Sequence, residues 1–395
     1  MLENKSIVLG VTGSIAAYKA IDIASKLTQL EAKVDVLLTK EANQFVTPVT
    51  FNAVTGRTVF SDMFDATIKQ GITHVNLAET ADVIVIAPIT ANTIAKLANG
   101  IADDIVCSTV LASKSSVILA PAMNVNMFES SITQENLGRL KNRGFIIVGP
   151  DFGRLASGIE DKGRLSNSNE IIGTICQVLA IGGDLKNKNV LITAGATQES
   201  IDPIRYITNH SSGKMGYSLA EAARDRGAKV KLITAPTSLN KIVGIETEKV
   251  INSEEMYKTV KKSVSSADVL IMAAAVSDYR VDNISNEKIK KENGMLQLNL
   301  FPSIDILLNI NGNFMKVGFA AESSNLIENA KKKMEQKKLK IIVANDITSK
   351  DSGFGSDNNR VIIISDNGKI DELPLMSKRK VADEILNRVV VALSE

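Results

Sequence analysis

The sequence contains few cysteine and histidine residues. Its only cysteines are Cys107 and Cys176, and each lies within an apolar, helical pattern. Two such thiols do not indicate a disulfide framework, so we expect a protein of a reducing compartment. The predicted location is therefore cytoplasmic.

The chain also lacks long apolar runs and a strong charge of either sign. No apolar stretch approaches the roughly 20 residues that span a bilayer, and the first residues, MLENKSIVLGVTG, do not have the pattern of a signal peptide. With 46 basic and 44 acidic residues, the formal net charge is only +2. We therefore expect neither nucleic acid nor a membrane as a partner, and any anion site must be local.

Two common nucleotide-binding fingerprints are missing as well. The glycines after the first apolar run do not follow G-x-G-x-x-G, which disfavours an NAD-dependent oxidoreductase. The segment TNHSSGKMG (208–216) places glycine, serines and a lysine before a helical pattern, but Met215 stands where a P-loop has serine or threonine. The turn still favours an anion site, because backbone amides at the start of a helix attract negative charge.

Alternating strand and helix patterns predict two α/β units. At 395 residues the chain is too long for one ordinary core. A β-α-β pattern spans residues 6–40, residues 91–113 have a helical pattern, and the cycle restarts with an apolar run at 190–195. We predict two doubly wound, three-layer α/β/α domains: a flavodoxin-like domain over 1–185 and a Rossmann-like domain over 186–395.

Three turns of the first half carry polar side chains where ligands bind in parallel sheets, at the carboxyl ends of strands. They lie in GVTGSIAAYK, APITANTIAK and APAMNVNM. The first turn offers amides and hydroxyls to a phosphate, Thr90 and Asn92 suit a polar ring or a ribityl chain, and Asn124 suits a carboxylate. Taken alone, the first turn is equally well explained as a tight connection between a strand and a helix.

Together these segments resemble the flavin-dependent cysteine decarboxylases, in particular phosphopantothenoylcysteine decarboxylase. The resemblance covers residues 6–165 and includes a histidine, His74, before a strand. It implies an FMN site made of Gly13, Ser14, Thr39, Thr90 and Asn92. It also implies that His74 lies near the reacting centre and that Asn124 contacts the substrate carboxylate. In that family the flavin oxidises a cysteinyl thiol, carbon dioxide leaves, and a hydride and a proton are returned.

One position departs from the family's pattern. The family's lid has the sequence L-A-C-G, in which cysteine is the final proton donor, whereas this chain has Ser157 in FGRLASGIEDKGRL. A serine hydroxyl is a far weaker acid than a thiol, whose reference pKa is about 8.5. Three outcomes stay open: arrest at the enethiol, protonation by another acid or water, or a first half that binds FMN while only the second half is active. We expect an impaired final reduction.

The second half carries a longer motif. Residues 190–216, VLITAGATQESIDPIRYITNHSSGKMG, resemble phosphopantothenate–cysteine ligase over nearly their whole length. The resemblance implies an anion-holding turn made of Ser211, Ser212 and Gly213. It implies that Asn209 orients the acyl intermediate and that Arg205 binds a carboxylate or phosphate.

Further motifs of the ligase family imply a nucleotide site. They are AAAVSDYR, EKIKK, VGFAAES and FGSDNN, with a partial match to P-D-I in which the proline is displaced to Pro302. The residues that these matches place on CTP are Ala274, Asp278, Lys288, Asp305, Ile306, Leu307, Phe319, Lys333 and Lys337. Lys288 is the residue expected on the phosphates. Mg²⁺ would arrive with CTP, with Asp278 as its candidate ligand.

The two resemblances together imply a bifunctional enzyme of coenzyme A biosynthesis. We expect the second half to join 4′-phosphopantothenate and cysteine through an acyl-cytidylate. We expect the first half then to convert 4′-phosphopantothenoylcysteine to 4′-phosphopantetheine with FMN. The alternative is a ligase whose flavin half is impaired or only binds, because of Ser157. The resemblance also implies a homo-oligomer, since members of these families assemble through both halves.

Overall fold

The computed structural model describes residues 2–63, 73–156, 158–291, 296–322, 325–346 and 355–394. The chain divides into two compact units, Met1–Leu179 and Ala180–Glu395. Within the described ranges, the structure contains no helix with the length and apolar character needed to cross a membrane.

The first unit is built on a parallel sheet. The strands of this sheet are β1 (Ser6–Val11), β2 (Lys33–Leu38), β3 (Val59–Phe60), β4 (Val83–Ile89), β5 (Ser116–Pro121) and β6 (Ile146–Ile147). In the described residues their order is β3-β2-β1-β4-β5-β6, with parallel pairing throughout. Without the two-residue β3 at the edge, this is the 2-1-3-4-5 order of flavodoxin-like folds. The strand order reverses between β1 and β4.

Helices cover both faces of this sheet. They are α1 (Tyr18–Gln29), α2 (Pro48–Thr55), α3 (Thr73–Thr80), α4 (Ala91–Asn99), α5 (Ile105–Ala112), α6 (Val125–Glu129), α7 (Ser131–Asn142) and α8 (Ser168–Leu179). Side chains alternate between the two faces of a strand. Accordingly, Ile7 and Leu9 of β1 enter a core shared with α1 and α8, whereas Val8 enters a second core shared with α4 and α5.

The helical pattern over residues 91–113 is two helices rather than one. Gly100 ends α4 in the left-handed region, at φ +73°, which glycine adopts without steric cost. Asp104 then caps α5 by accepting a hydrogen bond from the Cys107 amide at 2.8 Å. Lys96 of α4 forms an ion pair with Asp104 at 3.1 Å, so the polar residues of this motif hold the two helices together.

The second unit repeats the architecture on a larger sheet. Its strands are β9 (Asn189–Ala194), β10 (Gln198–Ser200), β11 (Tyr206–Thr208), β12 (Lys229–Thr234), β13 (Glu246–Lys249), β14 (Val269–Met272), β15 (Tyr279–Val281), β16 (Leu300–Pro302), β17 (Met315–Glu322), β18 (Ile341–Asp346), β19 (Asn358–Asn359), β20 (Val361–Ser365), β21 (Ile370–Glu372) and β22 (Met376–Ser377). Among the described residues the main sheet has the order β13-β12-β9-β14-β17-β18-β20-β21. Only β20 and β21 pair antiparallel to their neighbours in it. The order reverses between β9 and β14.

Helices again lie on both faces, and the predicted doubly wound α/β class is confirmed. The helices of the second unit are α9 (Lys214–Arg224), α10 (Ser253–Ser263), α11 (Ile306–Asn309), α12 (Leu326–Lys337) and α13 (Lys378–Ser394). Val190 and Ile192 of β9 pack with α9 and α13, whereas Leu191 packs with α10 and α12. In open α/β sheets, ligands bind at the carboxyl ends of strands where the order reverses. Each unit has one such edge.

Candidate active sites

Thr12, at the end of β1, joins two of the predicted turns of the first unit. Its hydroxyl donates to the Pro88 carbonyl at 2.9 Å and accepts from the Thr90 amide at 3.0 Å. The residue is buried. The turn after β1 and the turn after β4 therefore meet at the point where the strand order reverses.

Four of the five predicted FMN contacts follow β1 and β4, and the fifth, Thr39, follows β2. Ser14 caps a short 3₁₀ turn, and its hydroxyl donates to the Ala122 carbonyl after β5 at 3.3 Å. Thr90 caps α4, with Asn92 exposed in the first helical turn. The turns after β1, β4 and β5 thus lie together, with α4 beginning at their edge.

Gly13 and Thr39 shape the other side of the first turn. A Cβ atom on Gly13 would lie 2.4 Å from the Cβ of Glu41, so no larger residue fits there without a shift. Thr39 follows β2, is buried, and accepts from the Ala42 amide at 3.2 Å. The Thr39 hydroxyl therefore serves this local turn.

Asn124 is positioned to donate rather than accept. Its Oδ1 accepts a hydrogen bond from the Asn126 amide at 2.9 Å and so caps α6. Because that bond assigns the oxygen end of the amide, the exposed NH₂ group is the end that a ligand can meet. An NH₂ group suits the carboxylate predicted for this position.

His74 and Ser157 are the remaining predicted site residues of the first unit. His74 lies half-buried in the first turn of α3, a helix that packs against α5. Ser157 lies outside the described residues. It falls between β7 (Asp151–Arg154) and β8 (Glu160–Arg164), an antiparallel pair. The Met123 amide donates to the Gly163 carbonyl at 3.0 Å, which ties β8 to the turn that carries Asn124.

The two cysteines do not supply an alternative acid at these turns. Cys107 is fully buried in α5, and Cys176 is buried in α8. Burial, reinforced by the nearby Asp104 carboxylate, raises the pKa of the Cys107 thiol far above its usual range. A thiol held in this way is a weak proton donor at neutral pH.

In the second unit, the turn after β9 is bound to the segment after β14. The Ala275 amide donates to the Gly195 carbonyl at 2.9 Å, and the Thr197 amide donates to the Ala275 carbonyl at 3.2 Å. Gly213, just before α9, approaches so closely that a Cβ on it would lie 3.2 Å from the Gly195 nitrogen. Two predicted motifs, residues 190–216 and AAAVSDYR, therefore meet at the edge where the strand order reverses.

The predicted anion turn uses part of its hydrogen-bonding capacity internally. The Ser211 amide donates to the Asn209 carbonyl at 2.8 Å, and the Gly213 amide donates to the Ser211 hydroxyl oxygen at 3.3 Å. The donors that this turn offers a ligand are therefore hydroxyl protons of Ser211 and Ser212 rather than those two amides. The Asn209 side chain donates to the Ala275 and Val276 carbonyls, each at 3.3 Å, which fixes it beside the segment after β14.

Lys214, which follows this turn, has a definite partner. Its ammonium group forms an ion pair with Asp357 at 2.6 Å and donates to the Gly355 carbonyl at 3.0 Å. The first residue of α9 therefore contacts the FGSDNN motif, which lies 143 positions further along the sequence.

Arg205 binds within the protein rather than pointing to an open pocket. Its guanidinium pairs with the buried Asp202 carboxylate at 2.6 Å and donates to the Ile289 carbonyl, also at 2.6 Å. The same carboxylate accepts from the Ile289 amide at 3.2 Å. Asp202 and Arg205 thus bond to the amide and the carbonyl of Ile289, the residue that follows Lys288. Lys288 itself is exposed.

The electrostatics of Asp202 follow from these bonds. Burial acts to raise the pKa of its carboxyl, but donors from the Ile204 amide, from Arg205 and from the Ile289 amide outweigh burial. The pKa is therefore held well below its ordinary value of 3.8. An ionised carboxylate that accepts several hydrogen bonds is a firm anchor for the segment that carries Lys288.

A cavity of about 230 Å³ opens at the carboxyl ends of β14 and β17. Its walls contain every predicted nucleotide contact except Lys288. The lining residues from that prediction are Ala274, Asp278, Asp305, Ile306, Leu307, Phe319, Lys333 and Lys337. Residues far apart in the sequence therefore form one concave surface.

Two lysines organise the far wall of this cavity. Lys337 of α12 forms an ion pair with Asp305 at 2.6 Å, and Asp305 also caps α11 by accepting from the Leu308 amide at 3.2 Å. Beneath α11, the buried Lys316 donates to the Leu307 carbonyl at 2.9 Å. Burial, with a contribution from Lys338, lowers the pKa of Lys316.

In the part of the chain that the structure describes, no group of three or more His, Cys, Asp or Glu side chains is arranged to hold a metal ion. Asp278 lines the cavity as an exposed residue.

Comparison with known proteins gives matches over both units. The family described as "Flavoprotein" matches residues 1–180, and the family described as "DNA/pantothenate metabolism flavoprotein C-terminal domain" matches residues 185–393. The coenzyme A biosynthesis bifunctional protein CoaBC of Bacillus subtilis is 41% identical, over 98% of this chain and 97% of its own. That of Escherichia coli is 38% identical, over 100% and 98%. The chain belongs to the family of coenzyme A biosynthesis bifunctional proteins.

Solved structures of separate domains are also similar to parts of the chain. The C-terminal domain of a CoaBC protein is 37% identical and covers 54% of this chain and 99% of its own, with a TM-score of 0.47. A mutant PPC decarboxylase complexed with pantothenoylaminoethenethiol is 29% identical and covers 44% and 97%, with a TM-score of 0.41.

Membership of the CoaBC family confirms the resemblance inferred from the motifs and the prediction of a bifunctional decarboxylase and ligase. Several residues that organise the sites were nevertheless missed as site residues. Asp202 stands inside the predicted motif, three residues before Arg205, and this acidic–basic spacing was its only signal. Thr12 belongs to the first predicted turn, whose hydroxyls are expected to face a phosphate, but its own hydroxyl bonds to Pro88 and Thr90. Lys316 had no signal, because its partner is the Leu307 carbonyl.

The depressed pKa of Asp202 predicts a pH-dependent contribution to stability. Since folding favours its ionised form, the stabilisation is complete above the unfolded-state pKa and is lost as the pH falls through the folded-state pKa. We expect Asp202→Asn to lower the thermal midpoint of the second unit at pH 7. The difference in midpoint between variant and wild type should narrow as the pH falls from 5 to 3, and thermal unfolding from pH 7 to pH 3 measures this difference. Asp282→Asn, at an exposed site, is the control and should show no gap; a gap for Asp202→Asn that does not vary with pH would contradict the assignment.

Proposed function

We propose that the second unit ligates cysteine to 4′-phosphopantothenate with CTP. The observation that carries this proposal is the single cavity that collects the residues matched to nucleotide contacts, from Ala274 after β14 to Lys337 on α12. The cavity lies at the carboxyl ends of β14 and β17, next to the point where the strand order reverses, and ligands in this fold class bind at the carboxyl ends of strands. Family membership supports the same pathway.

The charges of the cavity suit a nucleoside triphosphate. Lys333 and Lys337 place ammonium groups on one wall, where they offset phosphate charge. Mg²⁺ is proposed to enter with CTP and to share that task, with Asp278 as the candidate protein ligand. Lys288 approaches the phosphates from the segment that Asp202 and Arg205 anchor. Arg205 then acts through that segment rather than by direct contact.

The acyl substrate is proposed to lie on the neighbouring turn. The hydroxyls of Ser211 and Ser212 stand before α9, whose N-terminal end favours an anion. Asn209 is fixed beside the Ala275 and Val276 carbonyls, between this turn and the nucleotide cavity. A carboxylate held there can attack the nucleotide and release pyrophosphate. The amine of cysteine then displaces CMP and forms the amide.

The first unit is proposed to decarboxylate the product, 4′-phosphopantothenoylcysteine, with FMN. The polar turns after β1, β4 and β5 meet at one edge, and Gly13, Ser14, Thr39, Thr90 and Asn92 would hold the flavin there. When bound, FMN supplies the two-electron oxidation and reduction that this decarboxylation requires. Asn124 presents its NH₂ group to the substrate carboxylate.

His74 is assigned to the reacting centre from the motif alone. Assembly as a homo-oligomer and a cytoplasmic location stay predictions.

The ligase proposal is tested by pyrophosphate release. We expect release from CTP only when 4′-phosphopantothenate is present, and CMP with 4′-phosphopantothenoylcysteine once cysteine is added. Lys337→Ala should reduce the release by roughly ten- to a hundredfold, because it removes a charged donor to the nucleotide. Lys332→Ala is the matched control, since Lys332 is on the same helix but exposed and paired with Glu328 at 2.9 Å. Equal effects of the two substitutions, or no CTP-dependent release, would contradict the proposal.

The decarboxylase proposal is tested at position 157. Because serine is a poor proton donor, carbon dioxide should form faster than 4′-phosphopantetheine in the wild type. Ser157→Cys should bring the two rates together, whereas Ser157→Ala should give no gain. Mass analysis of products from 4′-phosphopantothenoylcysteine measures both. If Ser157→Cys leaves the product ratio unchanged, serine is not the limiting feature; if the wild type releases no carbon dioxide, the decarboxylase assignment fails.

A further inference from the structure

Two hydroxyl groups in the nucleotide cavity have no hydrogen-bond partner. In the described part of the chain, the buried side-chain atoms in this condition are Asn43 Oδ1, Ser277 Oγ and Ser303 Oγ. Both serines line the cavity. Ser277 is only 4% exposed. Buried polar atoms in folded proteins nearly always have a partner, so two exceptions in one cavity need an explanation.

The backbone around the two serines is fixed. The Ser277 amide donates to the Thr197 hydroxyl at 2.9 Å, and the Ser303 amide donates to the Asp278 carbonyl at 2.8 Å. The strands β15 and β16 pair antiparallel directly beside them, with Tyr279 opposite Pro302. The two serines therefore stand at the same end of one antiparallel strand pair and line one cavity from two segments.

A structural role does not account for the hydroxyls. Each serine meets its neighbours through the backbone amide, and an alanine would make the same bonds. A buried hydroxyl without a partner costs stability relative to an apolar group of the same shape. Much of the rest of the wall is apolar, including Ala274, Val276 and Phe319. A cavity that combines apolar side chains with convergent polar groups suits a small molecule that has both kinds of surface.

We propose that the hydroxyls of Ser277 and Ser303 bind the nucleoside part of the nucleotide, that is, the uncharged polar groups of its sugar or base. Neutral hydroxyls both donate and accept, which suits such groups. The phosphates are met by the ammonium groups of Lys333 and Lys337 on α12. A serine hydroxyl turns between staggered rotamers without backbone movement, so each one can redirect to a ligand that enters. This inference rests on the proposed function.

The test distinguishes a ligand-binding hydroxyl from a structural one by two measurements: the thermal midpoint without ligand and the affinity for CTP. Ser277→Ala and Ser303→Ala should each leave the thermal midpoint of the ligand-free protein unchanged or raise it. Each should weaken CTP binding by about three- to tenfold, which is the worth of one ordinary hydrogen bond. Affinity for inorganic triphosphate, measured as a separate probe by titration calorimetry, should not change. Ser266→Ala is the control, because the exposed Ser266 hydroxyl donates to the nearby Ser263 carbonyl at 3.2 Å.

The outcomes distinguish the two proposals. Wild-type protein that does not bind CTP contradicts the proposed function and this inference with it. If both variants bind CTP as tightly as the wild type does, this inference is overturned and the proposed function is not. A parallel loss of triphosphate affinity, or a lowered thermal midpoint without ligand, also overturns it, because the hydroxyls would then serve the phosphates or the fold.

Discussion

The reversal of strand order within each sheet is the constraint on which both candidate sites depend. On either side of the reversal, the chain leaves the carboxyl ends of neighbouring strands in opposite directions, so a crevice opens between the two turns. The protein closes the base of each crevice with short-range bonds. In the second unit the Ala275 amide and Gly195 carbonyl do this at 2.9 Å, and in the first unit the Thr12 hydroxyl does it with Pro88 and Thr90. Ligand-binding groups then gather at a rigid edge.

Two buried charged residues fix backbone segments of the second site. A charged group inside a protein needs partners, and the partners of Asp202 and Lys316 are segments that bear on the site. Asp202, with Arg205, holds both polar backbone groups of Ile289. Lys316 holds the Leu307 carbonyl in the cavity wall. In each case the charge connects elements that are distant in sequence, so removing it would loosen the site without touching a ligand.

The sequence predicts the sheet edges better than it predicts the bonds across them. Runs such as VLITAG, and helical patterns that follow them, place Gly195 and Gly213 at the correct ends of their elements because these signals are local. The nucleotide contacts are predicted from motifs, and the cavity brings all of these predicted residues but Lys288 together. By contrast, the bond between Arg205 and Ile289 spans 84 positions, and that between Lys214 and Asp357 spans 143. No local periodicity encodes such pairs. The orphan hydroxyl of Ser277 is visible only once its surroundings are known.

The most direct measurement of the central claim is hydrogen exchange of the protein with and without CTP. CTP is proposed to bind at the carboxyl ends of β14 and β17, so exchange should slow over residues 274–278 and 303–309 and stay unchanged at the opposite ends of the same strands. Protection confined to other segments, or no protection under conditions where pyrophosphate is released, would show that the nucleotide binds elsewhere.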